Sequence, residues 1–176
     1  AVIDLPPRGS YNLHASLLPK YRGAAPIQYA VWKGETETGV SIFKIEPKLD
    51  AGLILASMHT TIGPRETAGE LEDRMAKLVA PVTLKFLDDL EQRRLTGTAQ
   101  DKSLVTKAPK LKKEFGSIDW TQTVREIDCQ VRGMQPWPMP YSFLKIEGRP
   151  TLRVLVLEVD PRVMPDNSTH SPGTVV

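Results

Sequence analysis

The spacing of apolar and polar positions changes several times along the chain, and each change marks an element. Tyr11 to Ala15 reads as a short buried strand. Side chains alternate along a strand, so Asn12 and His14 project side by side while Leu13 points to the opposite face. A polar loop follows Leu17-Leu18-Pro19 and ends at Gly23. Ala24 to Lys33 then predicts a short helix, with Pro26 in the first turn, Ile27, Ala30 and Val31 on one face, and Gly34 as the stop. Gly39 to Ile45 and Leu53 to Ile62 carry strand patterns on either side of a turn signal, Leu49-Asp50-Ala51-Gly52. They predict a hairpin-like pair.

Thr67-Ala68-Gly69-Glu70 matches a capping box. Behind it, apolar residues from Leu71 to Leu90 recur at helical spacing, predicting a long amphipathic helix bent or broken near Pro81. Thr96 to Lys113 is polar and basic, as a linker would be. Thr121 to Arg132 gives a second helix, with Val124, Ile127 and Val131 on one face and Gly133 as its stop. Pro136-Trp137-Pro138-Met139-Pro140 predicts a stiff, extended passage. Tyr141 to Ile146, a Glu147-Gly148 turn and Thr151 to Val159 predict a β-hairpin, and Gly173 to Val176 looks like a strand beginning.

Composition narrows the function classes only slightly. With 40% hydrophobic and 25% charged residues the chain reads as an ordinary globular protein. It has no apolar run of the roughly 20 residues a bilayer requires, and its first residues do not form a secretory signal. A single cysteine, Cys129, can neither close an internal disulfide nor build a zinc site alone. A reducing cytoplasm, or an organellar matrix, is the expected setting. The net charge of +2 is too small to announce a nucleic-acid binder, but its distribution is uneven. Lys102, Lys107, Lys110, Lys112 and Lys113 face only Asp101 and Glu114 in sequence. Such a strip can attract phosphates; a solvated linker is the plain alternative.

Three residues suit acyl-transfer chemistry: Asn12, His14 and Asp50. A carboxylate can orient and charge an imidazole, the imidazole can donate to a developing oxyanion, and a carboxamide can fix a carbonyl. Spacing alone does not bring them together. Asn12 and His14 could equally cap neighbouring loops, and Asp is common in turns for local reasons. His59 and His170 stand apart from this group, and no cluster of metal ligands is expected.

The run Asn12-Leu13-His14-Ala15-Ser16-Leu17-Leu18-Pro19-Lys20-Tyr21-Arg22-Gly23 resembles the signature of the folate-dependent formyltransferases. Ala24-Ala25-Pro26-Ile27-Gln28 is similar to the branch of that family whose acceptor is methionyl-tRNA. Glu37 to Ile42 and Leu49-Asp50-Ala51-Gly52 resemble the strand and catalytic loop that follow, and Ile118-Asp119-Trp120 and Pro136-Trp137-Pro138 resemble the family's C-terminal domain. The resemblance, spanning about residues 10 to 140, implies an α/β fold. Residues 1–98 would be the C-terminal half of a Rossmann-like catalytic domain, 99–114 a basic linker, and 115–176 an incomplete OB-like β-barrel. It makes Asn12, His14 and Asp50 the catalytic trio. It places Ser16, Leu17, Leu18, Pro19, Ala51 and Gly52 around a folate and formyl pocket, and the family allows a cis Leu18–Pro19 bond. The implied reaction is formyl transfer from 10-formyltetrahydrofolate to the amine of initiator methionyl-tRNA, without a metal, by a monomer. Lys107, Lys110, Lys112 and Lys113 are the expected phosphate contacts.

Two further expectations come from the family's architecture. The Rossmann-like half that precedes the Asn-His strand is absent, as is the end of the C-terminal barrel, so the chain reads as a central fragment. Its remaining parallel strands are expected to leave an unpaired edge, making the isolated chain poorly stable and inactive. Competing readings are a sugar-nucleotide formyltransferase, a formyltetrahydrofolate hydrolase, and a non-catalytic RNA-binding module.

Overall fold

The computed structural model describes residues 2–160 and 171–175. Three strands form the first sheet in the order β1 (Tyr11–His14), β2 (Glu37–Lys44) and β3 (Ile54–Thr61). Both pairings are antiparallel: β2 with β3 is the expected hairpin, whereas β1 with β2 corrects the expected parallel arrangement. In register, Tyr11 faces Lys44 and His14 faces Ser41, so β2 runs back along β1. The helix between them, α1 (Pro26–Trp32), has only seven residues. It leaves the chain at the far end of β1 rather than returning it to the start, as a parallel crossover would. Pro26 opens α1 in its first turn and Gly34, at φ 69°, follows its end, as the sequence pattern indicates.

β2 is buried along six of its eight residues, which makes it the centre of the sheet. α2 (Ala68–Glu91) packs beside it through Leu71 and Met75, while Phe86 meets Tyr11 of β1 edge to face at 5.1 Å. The capping box at Thr67 and Glu70 is formed. Of the expected bend or break near Pro81, the break is not made: α2 runs on through that residue. Pro81 and Lys77 both lie on the exposed side, where water can satisfy the carbonyl that proline leaves without an amide partner.

The connection from β3 to α2 carries a compact polar cluster. Arg74 donates to both oxygens of Glu66 at 2.7 and 2.9 Å, and the Gly63 amide adds a third bond at 2.9 Å. These bonds, the Arg74 ones foremost, hold the Glu66 carboxyl below its ordinary value despite opposition from burial. The resulting stability is complete above the ordinary glutamate value of 4.5 and is lost as pH falls through the lower folded value. In Arg74→Met the acid limb of a urea-midpoint-versus-pH curve should therefore be shallower than in wild type below that pH.

The second part contains α3 (Val124–Gly133) and a hairpin, β4 (Tyr141–Leu144) with β5 (Leu152–Leu155). A second capping box, Thr123 with Glu126, starts α3. Gly133 does not follow the helix as its stop but is its last residue, and it serves close packing. A Cβ there would lie 2.9 Å from the Trp32 Cβ and backbone nitrogen, so its absence lets α3 press against α1. The Pro136–Pro140 passage is a looped turn rather than an extended one. Met139 N–H bonds to the Met134 carbonyl at 2.9 Å, and the Gln135–Pro136 and Trp137–Pro138 bonds are cis. Among the described residues this part is a hairpin beside a helix, not a closed barrel. Residues 171–175 hold a turn in place of the expected strand, and Val176 lies outside the described residues.

The 99–114 segment, expected as a basic linker, is docked against the core. Ala108 and Leu111 are buried in the main core together with Ala30, Leu71 and Met134. Its lysines, Lys107, Lys110, Lys112 and Lys113, are all exposed on the outer side.

Candidate active site

The site begins on β1, which delivers the side chains of Asn12 and His14 to one face. His14 is 5% exposed, whereas Leu13 on the opposite face is 42% exposed. The chain then turns sharply, and β2 pins that turn. Ser41 Oγ donates to the Ser16 carbonyl at 2.8 Å and accepts from the Leu18 amide at 3.0 Å. Ser16 Oγ donates to the Lys20 carbonyl at 2.6 Å, and the Leu18–Pro19 bond is cis.

Beyond this turn the backbone curls back onto His14. Tyr21 and Gly23 both have positive φ, 60° and 130°. A Cβ on Gly23 would sit 2.4 Å from the Ala108 carbonyl oxygen, so only glycine lets the loop reach the docked segment. The curl has two consequences for the chemistry. The Tyr21 carbonyl lies 2.8 Å from His14 Nε2, and the Gly23 amide donates to Asp50 Oδ2 at 2.8 Å. A carbonyl can only accept, so His14 Nε2 carries a hydrogen and the ring's other edge, Nδ1, is left to act.

Asp50 comes from the β2–β3 connection and has φ 45°, in the left-handed region. Its Oδ2 stands 3.9 Å from His14 Nδ1, with the two side chains 12% and 5% exposed. That separation is an ion-pair distance rather than a hydrogen bond. The structure thus brings Asp50 and His14 together, with Asn12 two residues from His14 on the same strand face. Among the described residues no protein group hydrogen-bonds the Asn12 carboxamide, so its donor is available.

The expected pocket residues divide. Leu18 and Ser16 are buried, and the Ser16 hydroxyl is already engaged, so both support the turn from within. Leu17 and Pro19 instead help line a separate cavity of about 300 Å³ with Tyr21, Glu35, Thr38 and Leu104, which none of the trio lines. There the Tyr21 hydroxyl donates to Glu35 at 2.7 Å, and burial followed by the Glu35 carboxylate pushes it well above the usual tyrosine range. Gly52 is buried, and Ala51 is half-buried beside Asp50.

Sequence reasoning did not single out several residues that shape this site. Tyr21 and Gly23 hold His14 and Asp50 through backbone groups, which leave no side-chain signal, although Gly23 closes the quoted motif. Gln100 and Thr106 reach the site from the docked segment: Thr106 Oγ accepts from the Tyr21 amide at 2.8 Å, and its carbonyl accepts from Arg22 N at 3.0 Å. Among the described residues no group of three His, Cys, Asp or Glu side chains could hold a metal ion. No helix among them is long and apolar enough to cross a membrane.

A buried imidazole facing a carboxylate beside an unpaired carboxamide suits transfer of an acyl group to an amine, and the chain's kinship agrees: it belongs to the formyltransferase family. The profile described as Formyl transferase matches residues 1–85, and that described as Formyl transferase, C-terminal domain, matches residues 110–176. The methionyl-tRNA formyltransferase of Rhodopirellula baltica is 46% identical over 155 residues, covering 84% of this chain and 46% of the relative. That of Desulfotalea psychrophila is 41% identical over 175 residues, covering 99% of this chain and 52% of the relative. The chain therefore spans about half the length of the curated relatives it matches. In overall shape it is similar to the N-formyltransferase from Helicobacter canadensis, solved in complex with folinic acid and dTDP-3-aminofucose. The TM-score is 0.66 at 22% identity, covering 70% of this chain and 46% of that one.

Proposed function

We propose that the full-length protein transfers the formyl group of 10-formyltetrahydrofolate to the α-amino group of methionyl-initiator tRNA. The observation that carries this reading is the His14–Asp50 pair with only the Nδ1 edge of the imidazole free. The amine attacks the formyl carbon, and negative charge develops on the formyl oxygen. Asn12 and His14 Nδ1 donate to that oxygen. Because Nε2 already holds a hydrogen for Tyr21, a neutral ring would present a bare, accepting Nδ1. His14 therefore acts as the imidazolium, and Asp50 supplies the compensating charge 3.9 Å away. With Asp50 Oδ2 held by Gly23, Oδ1 is the oxygen placed to take the amine proton, directly or through a water. Collapse breaks the bond to the donor nitrogen, which leaves with the proton that Asp50 took from the amine.

In this reading residues 1–98 belong to the catalytic domain, 99–114 join it to residues 115–176 of the C-terminal domain, and the exposed lysines of the joining segment contact tRNA phosphates. Replacing Lys107, Lys110, Lys112 or Lys113 singly by serine should raise KM for tRNA with little change in kcat. Each loss should reduce the slope of log affinity against log salt by about 1.

The acceptor is tested by offering the full-length protein 10-formyltetrahydrofolate with charged initiator tRNA, with an amino-sugar nucleotide, or with neither. Formyl-methionyl-tRNA formation supports the reading. Transfer only to the sugar nucleotide assigns the other branch of the family, and free formate alone assigns a hydrolase.

A further inference from the structure

Asp50 is held from behind by a residue outside the catalytic trio. Gln100 lies in the docked segment and is half-buried. Its Nε2 donates to the carbonyls of Asp50 at 2.9 Å and Gly52 at 2.8 Å, bracketing the turn. Its Oε1 accepts from Arg22 twice, from Nε at 3.1 Å and Nη2 at 2.7 Å. The carboxamide thus uses both donors and its acceptor oxygen, which fixes its orientation.

Arg22 in turn is 8% exposed, and its backbone is fixed on both sides by the same segment. Its amide donates to the Thr106 carbonyl at 3.0 Å, and its carbonyl accepts from the Ala108 amide at 2.8 Å. Arg22 sits between Tyr21, whose carbonyl orients His14, and Gly23, whose amide holds Asp50. The Asp50 turn has φ 45°, a left-handed conformation that aspartate bears better than most residues but that still gains from support. Gln100 provides that support and joins the two loops that set the His14–Asp50 geometry.

The geometry points to Gln100 as a positioning residue for formyl transfer: bridging the Asp50–Gly52 carbonyls and the Arg22 guanidinium, it keeps the Asp50 carboxylate aligned with His14 Nδ1. This inference rests on the catalytic reading of that pair. It also makes the joining segment part of the machinery rather than a tether.

The test uses the full-length protein with Gln100→Met, which removes both sets of bonds at similar volume, and Gln100→Glu. Glutamate keeps the acceptor for Arg22 but lacks donors for the two carbonyls, so it separates the Asp50 turn from Arg22 packing. Both variants should lose about 10- to 100-fold in kcat, with KM for donor and acceptor within about twofold of wild type. In an Asp50→Asn background, Gln100→Met should cost nothing further, because it acts through that carboxylate. A readout independent of turnover is hydrogen exchange at the Gly23 amide, which Asp50 Oδ2 protects; it should speed up at least about tenfold in Gln100→Met. Unchanged kcat, losses that simply multiply with Asp50→Asn, or unchanged Gly23 exchange would each overturn the assignment. Wild-type silence toward methionyl-tRNA rejects the acceptor reading instead, and Gly23 exchange alone then decides the role of Gln100 in holding the turn.

Discussion

Replacing His14 by alanine or Asp50 by asparagine in the full-length protein lowers kcat about 10²- to 10³-fold, the size expected when one donor to a developing oxyanion is lost. The two changes act by different routes. His14→Ala removes the Nδ1 donor itself and leaves the Tyr21 carbonyl without its 2.8 Å partner. Asp50→Asn keeps the shape and an oxygen for the Gly23 amide, but removes the charge that makes an imidazolium favourable and the base that takes the amine proton. Steady-state kinetics should show KM for both substrates close to wild type, because neither group binds the ground state strongly. The thermal midpoint of Asp50→Asn should stay near wild type. A variant at either position that turns over at the wild-type rate excludes the pair as the catalytic machinery.

The second large effect is on stability. Asp128 of α3 is a buried carboxylate with both oxygens engaged, by Arg65 Nη1 at 2.7 Å and Arg132 Nε at 2.8 Å. Arg132 also donates to the Glu66 carbonyl at 3.1 Å, and Arg65 reaches Glu158 and the Val159 carbonyl. The cluster fastens the second part of the chain to the connection between β3 and α2. Asp128→Ala strands the Arg132 guanidinium, only 12% exposed, without its charge partner. Breaking such a pair from one side costs about 3–5 kcal/mol. Arg65 is 42% exposed and can turn to water, so Arg65→Met should cost no more than about 1 kcal/mol. Urea unfolding of the two variants checks the contrast: equal midpoints would mean that the cluster does not fasten the two parts.

The contrast between these sites shows what sequence could and could not reveal. The strand face carrying Asn12 and His14, the capping box at Thr67 and the hairpin whose connection carries Asp50 are local patterns, and each is present. The family resemblance puts His14 and Asp50 in one group, because a family signature preserves side chains in order, and the structure brings them to 3.9 Å. Neither kind of signal reveals which nitrogen of His14 is free. That depends on the Tyr21 carbonyl, a group every residue possesses. The direction of β2 against β1 is not legible in sequence, because periodicity is the same in parallel and antiparallel strands. The docking of the 99–114 segment is hidden in sequence because lysines dominate its composition. Only two apolar positions, Ala108 and Leu111, anchor it in the buried core, and two polar ones, Gln100 and Thr106, bind backbone groups far away in sequence. Gly133 shows the same limit: a glycine near a helix end reads as a stop until the neighbouring helix is in view.

The central claim is that the formyl oxygen is received by Asn12 and the Nδ1 edge of His14. It is tested most directly by a crystal structure of the full-length protein bound to a non-transferable analogue of 10-formyltetrahydrofolate. The predicted result places the formyl oxygen within hydrogen-bond reach, about 3 Å, of Asn12 Nδ2 and His14 Nδ1, with Nε2 still on the Tyr21 carbonyl. A formyl group bound in the cavity beside Glu35, or beyond the reach of both donors, would contradict it.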